Sequence, residues 1–244
     1  MPSAITLLGM LLGFYAVIQA LAGNYYWSAF LIMVSAVIDA CDGPIARYTR
    51  TQSTFGAELD SLSDLICFGL APALLGFFWS GPVSDEPRLS WLLPFVFLAC
   101  GALRLARSNV QAMGNLKHTP AFSGLPIPAG AGVIISAVLL SEVWRAKGIH
   151  LDWAQGLHEG MPLLMLLVSF AMVSTVPYHS LKELDLKQKT PFRILVYFVM
   201  ILIILVLRPE LTWFTGFLLY ALSGPLELLL SLKAEKAARR TWHP

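Results

Sequence analysis

Four aspartates lie close together in a strongly apolar part of the sequence. Asp39 and Asp42 precede a short turn-like segment, and Asp60 and Asp64 follow it. An ionised carboxylate in or beside hydrocarbon costs on the order of several kcal/mol, so a group of four requires compensating positive charge. A divalent cation supplies that charge, and sites built only from carboxylate oxygens suit Mg²⁺, Mn²⁺ or Ca²⁺. The aspartates therefore predict a metal site, which Mg²⁺ in particular would share with substrate phosphates.

Small residues share helical stripes with these aspartates. Within a helix, Gly43 and Ala46 fall on the stripe of the first pair, and Gly56 falls on the stripe of the second. Such residues leave room for a ligand against the backbone, and Arg47 offers a planar fork of donors that matches phosphate. Two antiparallel helices joined by residues 48–55 would bring the acidic stripes face to face. We therefore expect one pocket that contains all four carboxylates.

Two other interpretations of the aspartates remain open. Some of them could pair with Arg47 and Arg50 as charged ends of membrane helices, which explains two acids but not four on matched stripes. Alternatively, the chain could be a divalent-cation transporter, because intramembrane carboxylates also line ion pathways. A transporter should carry polar residues through the middle of several helices, whereas these acids gather at one end. The first predicted helix and the last two are almost wholly apolar.

The elements that must position the aspartates are membrane helices. Of the 244 residues, 57% are hydrophobic and only 13% are charged, whereas an ordinary globular domain is roughly 25% charged. The pattern predicts an all-α, polytopic membrane bundle, with residues 1–232 as one transmembrane catalytic domain and 233–244 as a basic cytoplasmic tail. The predicted spans are 4–22, 25–46, 57–80, 90–108, 126–144, 160–178, 193–207 and 210–231.

Charge and cysteine usage exclude other classes of protein. The net charge of +2 is too small to indicate nucleic-acid binding. The three cysteines, Cys41, Cys67 and Cys100, lie in or beside apolar segments without metal spacing, and we interpret them as buried free thiols.

Basic residues alternate between the two sides of the predicted spans. Of the 17 lysines and arginines, 13 fall on the side of the acidic cluster, and the other four are Arg88, Arg145, Lys147 and Arg208. Short cytoplasmic loops are enriched in basic residues. The distribution predicts eight crossings of the cell membrane, both termini in the cytoplasm, and an acidic cluster that faces cytosolic substrates.

Residues 39–64 match in full the signature D-x2-D-G-x2-A-R-x8-G-x3-D-x3-D, and the chain thereby resembles the CDP-alcohol phosphotransferases. These membrane enzymes transfer a phosphatidyl-type group from a CDP-linked lipid to an alcohol. The resemblance implies that Asp39, Asp42 and Asp60 ligate a pair of Mg²⁺ or Mn²⁺ ions with help from Asp64, which is also the general base. It implies a six-helix core in a homodimer, to which some branches add two spans. It also implies four contacts to the CDP moiety, from Gly43, Ala46, Arg47 and Gly56.

Three segments further resemble the phosphatidylserine synthase branch of that family, namely residues 55–62, 101–109 and 122–128. That branch transfers the phosphatidyl group of CDP-diacylglycerol to L-serine, and the resemblance implies this reaction here. Glycerol 3-phosphate and an inositol phosphate stay open as alternative acceptors. The sequence departs from the branch at Ser108, where phenylalanine is common.

The end of the fourth predicted helix offers groups for the acceptor. Arg104 and Arg107 lie one turn apart on one face, a spacing that suits an acceptor carboxylate or a lipid phosphate. Asn109 adds a donor and an acceptor, as an amino acid zwitterion requires. Alternatively, both arginines serve only the membrane topology. We expect Gly124 to shape the turn into the next helix and not to touch substrate.

Overall fold

The computed structural model describes residues 2–48, 53–81, 90–113, 124–148, 152–176, 178 and 208–240. Among these residues every regular element is a helix, which confirms the predicted all-α class. The helices are α1 (Pro2–Leu21), α2 (Tyr25–Tyr48), α3 (Thr54–Asp64), α4 (Ala71–Ser80), α5 (Leu92–Met113), α6 (Ile127–Ala146), α7 (Asp152–Val173) and α8 (Pro209–Arg240). A π-helical turn, Leu65–Leu70, joins α3 to α4 without a break.

Six helical segments of the described chain are long and apolar enough to cross a bilayer, and the protein is an integral membrane protein. They are α1, α2, the continuous helix from α3 to α4, α5, α6 and α7, and each matches one of the first six predicted spans. The seventh predicted span, 193–207, lies outside the described residues. Helix α8 covers the eighth, 210–231, but is not one of the six. Eight crossings therefore stay a prediction, as do the domain bounds 1–232 and 233–244.

A tight turn makes α1 and α2 an antiparallel pair. Gly23 in that turn has a φ of 79°, which residues with a side chain rarely adopt. Two buried serines of α2 donate to carbonyl oxygens of α1. Ser28 Oγ bonds to Ala16 O at 2.8 Å, and Ser35 Oγ bonds to Gly9 O at 3.0 Å. Such bonds fix the register of neighbouring helices in a membrane, where lipid is as apolar as the side chains.

The third span packs closely against α1 just after Asp64. Cys67, in the π-helical turn, donates from Sγ to Gly9 O at 3.4 Å. A Cβ on Gly13 would lie 2.7 Å from the same sulfur, so only glycine permits this approach. Turns with π-helical geometry are frequent at functional sites. The close approach brings the start of α1 beside the acid-bearing end of α3.

The three cysteines are free thiols, as predicted, but they differ in burial. Cys67 is buried and Cys100 is half-buried, whereas Cys41 is exposed, so the prediction of a buried thiol is wrong at Cys41. Successive residues of an α-helix point about 100° apart because there are 3.6 residues per turn. Since Asp42 of α2 is buried, its neighbour Cys41 is directed away from the interior.

Helix α6 lies in the centre of the bundle, and α8 packs along it. Every residue of α6 from Ala129 to Ser141 is buried. The ring of Phe217 from α8 lies directly on Gly132, where any side chain would overlap it. At the end of α6 remote from the aspartates, Lys147 Nζ donates to Glu210 Oε1 at 2.8 Å. This ion pair fixes the start of α8 against the end of α6.

Glu210 lies outside the six candidate spans and is 8% exposed. Burial alone would raise the pKa of Glu210, but it is outweighed by the hydrogen bonds from Lys147 and from its own backbone amide together with the positive charges of Lys147 and Arg208. The pKa of Glu210 therefore lies below its usual value of 4.5. The residue also occupies the first turn of α8, where the helix dipole favours a carboxylate.

Candidate active site

The carboxylates of Asp39, Asp42 and Asp60 meet where α2 and α3 face each other. One oxygen of each lies within 4.8 Å of the other two. Asp42 is buried, and Asp39 and Asp60 are half-buried. The two acidic stripes expected from the sequence therefore do form one cluster. Carboxylate oxygens that converge in this way suit a hard divalent cation such as Mg²⁺ or Mn²⁺.

Asp64 stands one turn beyond Asp60 and extends the cluster. Its carboxyl group interacts with those of Asp39 and Asp60. Its Oδ1 is buried and has no hydrogen-bond partner among the described residues. An unpaired carboxylate oxygen beside like charges is costly in a low-dielectric setting. The orphaned oxygen and the three converging carboxylates both fit a bound divalent cation.

Hydroxyl groups of neighbouring helices hold the cluster from the side of α1. Thr6 Oγ1 donates to Asp42 Oδ2 at 3.0 Å, and Ser63 Oγ of α3 donates to the carbonyl oxygen of Thr6 at 3.3 Å. The sequence analysis missed Thr6 and Ser63. Thr6 lies far from the aspartates along the chain, and a single hydroxyl in an apolar helix has no spacing that indicates a partner. Thr6 is 6% exposed.

A positively charged side chain of α5, that of Arg104, borders the acidic cluster. Arg104 is half-buried and interacts electrostatically with Asp64 on one side and with Tyr220 of α8 on the other. Arg107 is exposed, and its Nη1 donates to Val173 O at 3.4 Å. The two arginines predicted to act together therefore have different surroundings. Among the contacts described for these two arginines, only Arg104 interacts with an aspartate of the cluster.

Asn109 and Ser108 also have protein partners. Asn109 Nδ2 donates to Ser61 Oγ of α3 at 2.9 Å, so this amide nitrogen is engaged between helices. Ser108 Oγ donates to Leu105 O at 2.8 Å, within its own helix. Ser108, where the sequence departs from the phosphatidylserine synthase branch, thus forms its hydrogen bond within its own helix.

The residues expected to contact the CDP moiety lie on α2 and in the first turn of α3. Gly43, Ala46 and Arg47 belong to α2, whose regular helix continues to Tyr48, but their side-chain surroundings lie outside the described part of the chain. The backbone N–H of Gly56 donates to the N-cap side chain of Ser53 at 3.0 Å. This cap fixes where α3 begins.

Gly124 shapes the entry to α6, as expected. Its φ of 92° lies in the region that favours glycine, and its N–H donates to Val176 O at 2.9 Å. Leu125 N donates to Ala171 O at the same distance. The entry to α6 is therefore fixed to the end of α7, on the same side of the bundle as the aspartates.

An apolar cavity of about 40 Å³ lies between α2, the π-helical turn, α6 and α8. Its lining includes Met33 and Ala36 of α2, and Ala36 lies one turn before Asp39. Phe68 of the π-helical turn, Gly132 of α6 and Phe217 of α8 complete this side of the lining. The cavity therefore begins one turn of α2 away from Asp39, an arrangement that suits a substrate with a charged head and a hydrocarbon chain.

The chain is similar in sequence to known proteins. Residues 1–158 match the family model described as CDP-alcohol phosphatidyltransferase. The CDP-diacylglycerol–serine O-phosphatidyltransferase of Helicobacter pylori (strain ATCC 700392 / 26695) is 30% identical over 235 residues, which cover 95% of this chain and 93% of that protein. The protein of the same name from Methanocaldococcus jannaschii is 34% identical over 174 residues, 71% of each chain. The archaetidylserine synthase of Methanothermobacter thermautotrophicus is 31% identical over 180 residues, 73% of this chain and 69% of that one.

Proposed function

The chain belongs to the CDP-alcohol phosphatidyltransferase family, and on that premise we propose that it transfers the phosphatidyl group of CDP-diacylglycerol to L-serine, releasing CMP. The observation that carries the proposal is the convergence of Asp39, Asp42 and Asp60 beside the unpaired oxygen of Asp64. The acceptor follows from the relatives, whose names specify serine or archaetidylserine. The product is phosphatidylserine.

The reaction exchanges one phosphorus–oxygen bond for another. The hydroxyl oxygen of serine attacks the phosphorus that bears diacylglycerol, the bond from that phosphorus to CMP breaks, and CMP leaves with the electron pair. Two Mg²⁺ or Mn²⁺ ions held by Asp39, Asp42, Asp60 and Asp64 would neutralise the diphosphate and polarise the phosphorus under attack. Without such ions the acidic cluster would repel the diphosphate.

Asp64 is the group that we assign to take the proton from the serine hydroxyl. Its Oδ1 lacks a partner among the described residues, so a lone pair is available there. A positioned base contributes about 100-fold to 10,000-fold to the rate of such a step. We assign Arg104 to the serine carboxylate, because it is half-buried and interacts with Asp64.

The lipid substrate would lie along α2. We propose that Gly43, Ala46, Arg47 and Gly56 contact the CDP moiety, as the resemblance to the family implies; the two glycines and Ala46 also share the helical stripes of the aspartates. The apolar cavity that begins at Ala36 suits part of an acyl chain of the same molecule. The cytidine end and the hydrocarbon end of the substrate would thus lie on opposite sides of the reacting phosphate.

We further propose a cell-membrane protein with its active site and both termini on the cytoplasmic side. The distribution of basic residues supports this orientation, because the predicted spans place 13 of the 17 on the side of the aspartates. Lys147, on the opposite side, is satisfied by its ion pair with Glu210. The homodimer implied by the family resemblance belongs to the same proposal.

The acceptor is tested by product analysis. Purified protein in detergent receives CDP-diacylglycerol, Mg²⁺ and one of three acceptors: L-serine, glycerol 3-phosphate or an inositol phosphate. We expect phosphatidylserine in amounts equal to the CMP released, identified by mass spectrometry, and no lipid product from the other two. A lipid product from glycerol 3-phosphate alone would refute the serine assignment but leave the phosphatidyl transfer intact.

A further inference from the structure

Thr6 of α1 is hydrogen-bonded to both helices that carry the acidic cluster. Its side-chain oxygen donates to Asp42 Oδ2 at 3.0 Å, and its carbonyl oxygen accepts from Ser63 Oγ at 3.3 Å. Asp42 belongs to α2, and Ser63 directly precedes Asp64 in α3. One residue of the first helix therefore joins the two helices that carry the aspartates.

Burial makes the bond to Asp42 consequential. Asp42 is 8% exposed and Thr6 is 6% exposed, so their hydrogen bond lies away from bulk solvent. In a low-dielectric setting, a hydrogen bond to an ionised group is worth more than one at the surface, and it fixes the orientation of the carboxylate. Asp42 has one oxygen within 4.8 Å of the nearest oxygens of Asp39 and Asp60, so its orientation sets the shape of the cluster.

The carbonyl oxygen of Thr6 restrains α3, the helix that carries Asp60 and Asp64. Ser63 is 3% exposed, and its hydroxyl is directed at α1, whereas Asp60 and Asp64 lie on the stripe that faces α2. A rotation of α3 about its axis would break the Ser63 bond and move both aspartates. The distance between the two acidic stripes therefore depends on α1 as well as on the connection along the chain from α2 to α3.

We propose that Thr6 is a positioning residue for the divalent-metal site. Its hydroxyl orients Asp42 as a ligand, and its backbone carbonyl holds α3 in register through Ser63. The inference rests on the metal dependence within the proposed function. On this inference, metal affinity depends on a residue of α1, a helix that lies outside the signature of residues 39–64. Hydrogen-bond partners of metal-ligating carboxylates typically change metal affinity by about 10-fold to 100-fold when they are removed.

The test compares three variants by their affinity for Mn²⁺, measured by electron paramagnetic resonance on purified protein without substrate. Thr6→Val keeps the shape of the side chain but removes the hydroxyl, and we expect the Kd for Mn²⁺ to rise about 10-fold to 100-fold. Thr6→Ser keeps the hydroxyl and should restore the affinity of the unsubstituted protein. Ser35→Ala is the matched control, because Ser35 also makes a buried hydroxyl bond between α1 and α2, to Gly9 O at 3.0 Å.

The outcomes separate this inference from the proposed function. An unchanged Kd in Thr6→Val, or an equal rise in Thr6→Val and Ser35→Ala, would overturn the positioning role. If Thr6→Val does not assemble, Thr6→Ala removes the same hydroxyl and requires no additional space, and the same comparison applies. Mn²⁺ binding that depends on Thr6, in a protein that releases no CMP with any acceptor, would support the inference and reject the transferase. A native chain that binds no Mn²⁺ would overturn the inference, whereas the transferase is decided separately by serine-dependent release of CMP.

Discussion

The amide nitrogen of Asn109 donates to Ser61 Oγ at 2.9 Å, and this bond joins α5 to α3 between two aspartates of the cluster. Ser61 in turn donates to Ala57 O at 3.2 Å, one turn earlier in α3. The serine hydroxyl therefore uses both its donor and its acceptor capacity. Arg104 and Asp64 belong to the two helices that this bond connects, so their relative position depends on it.

Removal of either partner of this bond should weaken catalysis by a similar amount. Ser61→Ala and Asn109→Ala each lose a hydrogen bond worth about 1 kcal/mol, and we expect kcat/KM for serine to fall about 3-fold to 10-fold in each. The double variant should retain about the kcat/KM of the less active single variant, because the first change has already broken the bond that the second would remove. Steady-state CMP release measures all three.

The control for that cycle is Ser28→Ala, which removes a buried hydroxyl bonded to Ala16 O at 2.8 Å, near the end of the α1–α2 pair that is remote from the aspartates. This change should leave kcat/KM within about 2-fold of the native value, since a hydrogen bond remote from the acidic cluster contributes to stability and does not hold a residue of the site. Losses in Ser61→Ala and Asn109→Ala that multiply in the double variant would show that the two residues act independently.

Asp64→Asn should separate proton transfer from metal binding. Asparagine has the same shape as aspartate but cannot take a proton, so we expect kcat to fall about 100-fold to 10,000-fold. Affinity for Mn²⁺ should fall far less, because Asp39, Asp42 and Asp60 remain. Asp39→Asn is the comparison, and it should lose both activity and Mn²⁺ affinity. An Asp64→Asn protein that keeps more than about a tenth of the native kcat would contradict the base assignment.

Arg104 and Arg107 provide a matched pair for the acceptor site. Arg104→Lys keeps the positive charge but loses the planar fork, and we expect the KM for serine to rise about 10-fold or more. Arg107→Lys should change the KM by less than about 2-fold, because Arg107 is exposed and its described bond is a long one, at 3.4 Å, to Val173 O. Equal effects at both positions would favour the alternative in which both arginines set only the topology.

The ion pair between Lys147 and Glu210 should give a stability that depends on pH. The pKa of Glu210 is below 4.5 in the folded protein, because burial, which raises it, is outweighed by two hydrogen bonds, from Lys147 and the backbone, together with the positive charges of Lys147 and Arg208. A group with a depressed pKa stabilises the fold above its unfolded value and loses that contribution as pH falls through the folded value. Glu210→Gln should therefore lower the Tm in detergent at pH 7, while the difference from the native protein shrinks below about pH 4.5.

The size of that effect is limited by solvent. The side chain of Lys147 is 47% exposed, so screening reduces the pair to less than about 1 kcal/mol. For a chain of this length we expect a change in Tm of about 1 to 3 °C, measured by differential scanning fluorimetry. Lys147→Met should reproduce it at pH 7. A difference that grows as the pH is lowered would contradict the assigned sign.

The features predictable from the sequence are those that depend on residues near one another along the chain. Asp39 and Asp42 lie one helical turn apart, as do Asp60 and Asp64, so two acidic stripes follow from helical geometry alone. Apolar length likewise predicts the six spans that the structure contains. The third predicted span, 57–80, was correct as one crossing, but no local pattern indicated the π-helical turn at Leu65–Leu70.

The features that the sequence did not reveal depend on contacts between distant segments. Thr6 and Asp42 are 36 residues apart, and Ser61 and Asn109 are 48 apart, so no spacing rule relates them. The same limit explains Arg104 and Arg107. Their spacing predicts a shared face, but which of them approaches Asp64 depends on the packing of α5 against the π-helical turn and α7.

The central claim is tested most directly by CMP release from purified protein given CDP-diacylglycerol and Mg²⁺, with and without L-serine, before and after chelation. We expect release that requires serine, stops on addition of EDTA and returns with excess Mg²⁺ or Mn²⁺, since the carboxylates of Asp39, Asp42 and Asp60 converge for a cation. Release that is unaffected by EDTA would contradict the metal-dependent site. Folded protein that releases no CMP with serine or with any other alcohol would contradict the transferase itself.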